Sequence, residues 1–319
     1  MLERIVLKDG RLRPILRVFV YTIGVLFVWL LVAVTIGNVF ALFKGPAAAF
    51  IETPGWIIYV ALDVSTIGVA VLLRTSLDRR SVDSLGLTLR TCWLRLLLLG
   101  IALGAGMQLL IFAVELVAGV TQVAGISLTG KSLGDLAGLA ALLFAAAIAE
   151  EMPLRGYTLQ NLWEEAGFWP AAIATSLLFA FIHIGNPHFG DHPWITAVNI
   201  AADGMWACVS VLWTRSLWLA WGQHFAWNLF EGPILGAPVS GNSFPSVVVQ
   251  NTGAATISSQ GPLSVLTGGA FGPEGGLISL LALVVGLATL FWLYRRGAFS
   301  QLPDTREAYA GGRISSTAT

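Results

Sequence analysis

The chain has 319 residues, of which 56% are hydrophobic and only 11% charged, 18 basic against 18 acidic, for a formal net charge of zero. A soluble domain carries roughly 25% charged residues, so the composition argues against a water-soluble chain, and the lack of a basic excess argues against a nucleic-acid binder. Twelve tryptophans and a mean hydropathy of +0.77 point instead to a polytopic membrane protein with aromatic side chains at its interfaces.

A helix needs about 20 apolar residues to cross a hydrocarbon core. Stretches of that kind occur at about 18–43, 56–73, 93–120, 135–160, 168–187, 194–214, 217–231 and 277–294, which predicts an all-α bundle of about eight transmembrane helices. The first run is too long for a signal-peptide core and follows Arg4, Lys8, Arg11, Arg13 and Arg17, so it is expected to be a retained helix. The seventh is short, and a count of seven is the alternative. Alternating eight spans from a cytoplasmic N-terminus places every basic residue except Lys44 and Lys131 on the cytoplasmic side, with both termini there.

The chain is expected to form a single transmembrane domain over 1–296, with a catalytic core at about 136–231. The segment 232–276 carries one charge, Glu274, and is rich in Gly, Ser, Thr, Pro, Asn and Gln. It is predicted to be an exterior loop with a short strand at Ser246–Gln250. Residues 297–319 are expected to be a disordered cytoplasmic tail. Cys92 and Cys208 lie far apart and outside any metal-ligand spacing, and are taken as small apolar packers.

Ionisable groups at bilayer depth are candidates for function because their burial is costly. Asp63, Glu115, Glu150, Glu151 and Asp203 qualify, with His183, His224, Asn199, Asn228 and Arg155, whereas His188 and His192 sit in a polar loop and are expected to be solvated. Glu115 is near the exterior end of its span and is expected to reach water. In AIAEEMPLRGY, Glu151 and Arg155 are four apart and can pair on one helical face. Pro153 removes a donor and crowds the carbonyl of Ala149, which predicts a kink beside Glu150 and a wet cavity there.

The next span carries Phe179 and His183 four apart. Glu150 and His183 are equidistant from the turn between Ala166 and Gly167, and in an antiparallel helical hairpin such residues sit at equal depth. The seventh span carries His224 and Asn228, again four apart on one face. A carboxylate beside an imidazole can deprotonate water, and a second imidazole with an amide can stabilise an oxyanion. With no Ser or Cys on a matching face, the set predicts hydrolysis of an amide or ester by water. Glu150, His183 and His224 could instead hold zinc, so a metal-free mechanism, the favoured one, and a zinc-dependent one both stand. Asp203 is a candidate for orienting a histidine.

Glu150-Glu151-x-x-x-Arg155, Phe179-x-x-x-His183 and His224-x-x-x-Asn228 resemble, in this order, the three motifs of the CPBP family (Abi or type II CAAX prenyl endopeptidase-like proteins). The likeness spans about Leu136 to Glu231. It implies an eight-helix intramembrane glutamic endopeptidase in which Glu150 and His183 activate water and His224 and Asn228 form the oxyanion hole, with Glu151, Arg155 and Phe179 in support. It further implies a membrane-protein or lipidated-peptide substrate and residence in the lipid bilayer, here expected to be a prokaryotic plasma membrane. Leu154 departs from the family pattern, in which an aromatic precedes the arginine, and Pro153 interrupts the helix. A non-proteolytic scaffold or bacteriocin-immunity partner using the same pocket is the alternative from another class. A proton-coupled transporter using Asp63, Glu115 and Asp203 ranks below both, since no inverted repeat is visible.

Overall fold

The computed structural model describes residues 6–8, 10–44, 55–89, 92–250 and 263–300. A small hairpin pairs β1 (Leu7–Lys8) with β2 (Arg11–Leu12). Helices α1 (Pro14–Lys44), α2 (Gly55–Ser76) and α3 (Trp93–Val117) follow, then strand β3 (Val123–Ile126) and α4 (Gly130–Glu151). A π-helical segment, Met152–Thr158, joins α4 to α5 (Leu159–Ala166); α6 (Phe168–Ile182), α7 (Pro193–Thr214) and α8 (Trp218–Leu229) come next. A second π-helical segment, Phe230–Ile234, leads to β4 (Val248–Gln250), the short α9 (Ser264–Thr267) and α10 (Leu277–Arg295).

Among the described residues, six helical stretches are long and apolar enough to cross a membrane: Pro14–Val39, Ile57–Ser76, Trp93–Val117, Ser132–Ala166, Pro193–Thr214 and Leu277–Arg295. The chain is thus a polytopic helical bundle. The fifth and seventh expected spans are helical too, but α6 has 15 residues and α8 only 12. At 1.5 Å per residue they rise about 22 and 18 Å, short of a hydrocarbon core of about 30 Å. A polar loop, GNPHFGDHPW, follows α6 closely, whereas after α8 the chain continues for five residues as the π-helical segment Phe230–Ile234.

The described residues fall into two compact units, one within 1–87 and 148–171, the other within 88–147 and 172–303. The first unit is held by a buried polar network. Asp78 Oδ2 accepts from Arg74 Nη1 at 3.1 Å and from Asn161 Nδ2 at 3.3 Å, and its Oδ1 accepts from the Tyr157 hydroxyl at 3.2 Å. Arg17 Nε lies 3.8 Å from the same carboxylate, Arg74 Nη2 donates to Gln160 Oε1 at 2.7 Å, and Arg80 pairs with Glu164 at 2.7 Å. Arg17, Arg74 and Asp78 are fully buried. These arginines, counted from the sequence only as markers of the cytoplasmic face, instead staple α1 and α2 to α5 and the π segment. Isolated buried charge is costly, and the shared carboxylate offsets that cost.

In the second unit, α3 and α8 pack backbone to backbone. Gly100 and Gly104 of α3 face the Leu219 and Gln223 carbonyls, and Gly222 of α8 faces the Leu97 carbonyl, so a Cβ at any of the three would collide with main chain. Small residues spaced four apart allow such an approach. Trp218 Nε1 donates to the Thr88 carbonyl at 3.0 Å and Trp221 Nε1 to the Phe144 carbonyl at 2.8 Å. Trp206, Trp218 and Trp227 are buried, whereas Trp169 and Trp194 are exposed, as interface anchors would be.

In the segment expected to be an exterior loop, the described residues 232–250 and 263–276 are in good part buried, and residues 251–262 lie outside the described residues. Val248–Gln250 pairs antiparallel with Val123–Ile126, so the predicted strand forms, two residues shorter at its start. Pro233, Leu235, Ala237 and Val239 are buried and the residues between them only partly so. The chain here, which leaves the π-helical segment through Leu235 and the left-handed Gly236, is thus packed on one side, which a Gly/Ser/Pro-rich composition masks. Glu115 is only 3% exposed, and it lines a cavity beneath the loop rather than the open surface. Cys208 packs as expected, but Cys92 is exposed where α3 begins. His192 bonds Ser264 Oγ at 2.7 Å and is part-buried rather than solvated, while His188 stays exposed near Asp191. Of the expected tail, residues 301–319 lie outside the described residues.

Candidate active site

The two halves of the expected constellation belong to different units, and each is built within its own. Glu150 and Glu151 end α4, and the chain continues without a break through the π-helical turn Met152–Thr158. The predicted kink at Pro153 therefore takes another form. A π-helix widens the ring from i+4 to i+5, as in the bond from the Leu159 amide to the Leu154 carbonyl. The wider turn accommodates a residue without an N–H, and such π turns concentrate at functional sites.

Arg155 Nη1 donates to Glu151 Oε1 at 3.1 Å, both side chains being buried. The pair expected from the four-residue spacing thus forms. Glu150, rotated off that face, is half-buried. Asp63 of α2, in the same unit, is close enough to Glu150 for the two carboxylates to repel. Tyr157 within the π turn and Asn161 just past it, both bonded to Asp78, anchor the chain there.

In the second unit, α6 ends at Ile182, so His183 occupies the first turn beyond the helix rather than its interior. His183 Nδ1 lies 2.7 Å from the Phe179 carbonyl oxygen. A carbonyl can only accept, so Nδ1 carries the proton, and in the neutral ring Nε2 holds the lone pair. The Phe179 ring meets the His183 ring edge-on at 4.5 Å between centroids and the His224 ring at 6.1 Å. Phe179 thus contacts the imidazoles of two separate motifs. His224 is 7% exposed on α8, and Asn228, one turn on, is half-buried. Asp203 of α7 accepts from Gln223 Nε2 at 3.1 Å, one residue before His224.

Two acids near this half were missed from the sequence. Glu231 is 1% exposed; its Oε2 accepts from Gln108 Nε2 at 3.0 Å and its Oε1 from the Glu274 amide at 3.4 Å. Glu274 accepts from the Ser240 hydroxyl at 2.7 Å and from the Ser240 amide, and interacts electrostatically with His183 and Asp203. Burial pushes the Glu274 carboxyl above its usual 4.5. Glu231 was legible as the residue three past Asn228 on a helical face; Glu274 was not, since only the folded loop brings it there.

Within either unit, no three described His, Cys, Asp or Glu side chains are grouped so as to hold a metal ion. No curated protein and no solved structure matches the chain. Residues 132–230, just under a third of the chain, match a family model described as type II CAAX prenyl endopeptidase Rce1-like. All three motifs lie inside this segment, which is thus similar to a domain of a protease family, in accord with the likeness the motifs suggest, and the chain around it is that of a multi-pass integral membrane protein.

Proposed function

We propose that the protein is an intramembrane endopeptidase that cuts a peptide bond of a membrane-associated protein, lipidated ones included. The observation that carries this reading is the arrangement around Phe179, where one ring contacts two imidazoles and its own carbonyl sets the tautomer of His183. The Rce1-like match supports the reaction class.

In this mechanism Glu150 takes a proton from a water aligned by the His183 Nε2 lone pair, and the water oxygen attacks the scissile carbonyl carbon. The oxyanion that forms is stabilised by donors from His224 and Asn228. Collapse breaks the C–N bond as the proton held by Glu150 passes to the leaving amine. No metal takes part. Glu151 remains paired with Arg155 and holds the helix rather than entering the reaction.

Purified protein in detergent is incubated with a fluorogenic lipidated or transmembrane reporter. Parent protein cuts. Glu150→Ala or His183→Ala lowers the rate by about two to four orders of magnitude, the usual contribution of a general base. His224→Ala or Asn228→Ala lowers kcat by about 100- to 1,000-fold, as for other oxyanion donors. Equal cutting by parent and Glu150→Ala overturns the assignment and favours the scaffold reading.

A further inference from the structure

Three buried carboxyl groups gather under the folded loop of the second unit, and one of them lacks a full set of partners. Glu231 is bonded by Gln108 and the Glu274 amide, and Glu274 by Ser240. Glu115 receives only a long 3.5 Å hydrogen bond from the Thr121 hydroxyl on Oε2, while no described residue donates to Oε1. It is 3% exposed. It sits in the last turn of α3, where the helix C-terminus adds its own negative potential, and it is close enough to Glu231 for mutual repulsion. The unpartnered Oε1 and the negative potential of the helix end both favour a cation beside Glu115.

A cavity is present to admit one. It has a volume of about 410 Å³ and is lined by Glu115, Thr121, Gln250, His188 and the side-chain-free Gly236 and Gly241, with no Lys or Arg among its described lining. His188 is engaged with Asp191 at 3.3 Å. The donor set does not suit a metal ion, for which this unit groups no three ligating side chains among its described residues. A primary ammonium needs only one carboxylate and a few neutral oxygen acceptors. The cavity also adjoins a two-stranded sheet: Gln250 belongs to β4, and Thr121 lies just before β3, whose Val123, Ala124 and Ile126 are exposed. An extended polypeptide can align with such an edge.

We propose that this cavity binds the ammonium group of a lysine side chain carried by an extended polypeptide. The site goes beyond the peptidase reading, and its binding is measurable in protein that cannot cut. The probe is a short fluorescein-labelled Thr/Val peptide with one central lysine, compared with a twin carrying glutamine. Binding is read by anisotropy to the full chain in phosphatidylcholine nanodiscs, with both parent and Glu150→Ala protein.

The lysine peptide is expected to bind at least about tenfold more tightly than its twin, equivalent to about 1.4 kcal/mol. Glu115→Gln removes that preference, and so does Ser243→Trp, which fills the cavity from an exposed rim position without touching the buried carboxyl. Equal affinity for the two peptides overturns the proposal, as does a lysine preference that survives both substitutions. Loss of lysine-peptide binding when phosphatidylethanolamine replaces phosphatidylcholine also overturns it, by assigning the site to a lipid amine. Because Glu150→Ala must bind as the parent does, failure here and failure of the peptidase assignment are separately visible.

Discussion

Replacing Gly104 by alanine adds one methyl group to the tightest helix contact of the second unit. An ideal Cβ there would lie 3.0 Å from the Trp227 amide nitrogen and 3.1 Å from the Ala226 Cβ, and closer still to the Gln223 carbonyl oxygen. Relaxed contacts between heavy atoms lie at about 3.5–4.0 Å, so α3 and α8 must separate by up to about 1 Å. Overpacking of this kind costs about 1–3 kcal/mol. His224 and Asn228 ride on α8, and a displacement of about 1 Å in a catalytic group can cost on the order of 100-fold in rate. Gly106 provides the internal control, being on the same helix, exposed, and with nothing within 4 Å of an added Cβ. Thermal unfolding in detergent and reporter cleavage are measured for both variants. Gly104→Ala should unfold earlier and cut far more slowly, and Gly106→Ala should match the parent in both. Indistinguishable behaviour of the two variants would refute the claim that backbone-to-backbone packing of α3 and α8 positions the oxyanion donors.

Three further outcomes are expected. Asp78→Ala strands the Arg74 and Arg17 guanidinium groups in a buried site and should cost about 3–5 kcal/mol in denaturant unfolding, against roughly 1 kcal/mol for Tyr157→Phe, which removes a single neutral donor. Glu274 has a carboxyl raised above its usual 4.5 by burial. The stability this confers is complete below pH 4.5 and is lost as pH rises through the folded value. Glu274→Gln should therefore gain stability relative to the parent as pH rises from 4.5 to 8, and a constant difference in Tm over that range would contradict the burial account. Cleavage should persist after treatment with a strong zinc chelator, and its loss with recovery on added zinc would move Glu150, His183 and His224 to the role of metal ligands.

The helix positions and the three motifs were legible in the sequence because both are local. Apolar run length reports helices directly, and the four-residue spacings of Glu151 with Arg155 and of Phe179 with His183 become the 3.1 Å ion pair and the 4.5 Å ring contact. What depends on distant parts of the chain was not legible. Pro153 predicted a kink, but the alternative of a π turn anchored by Asp78, 79 residues from Tyr157, leaves no local trace. Arg17 and Arg74 were legible only as markers of the cytoplasmic side, because nothing in their apolar surroundings announces the shared carboxylate. Glu115 and Glu274 lie under and within a segment whose composition suggests an exposed loop, and only its alternating burial from Pro233 to Val239 shows that it packs. The shift from α-helix to π-helix after Leu229 was similarly hidden, since run length does not distinguish the two.

Mass spectrometry of the products from a lipidated reporter, incubated side by side with parent, Glu150→Gln and His183→Ala proteins in proteoliposomes, tests the central claim most directly. Glutamine keeps the shape of Glu150 and removes only its basicity. The account predicts a new carboxyl and amino terminus at one peptide bond with the parent, and a rate lower by at least about 100-fold for both variants. The same terminus formed at the parental rate by Glu150→Gln would contradict it.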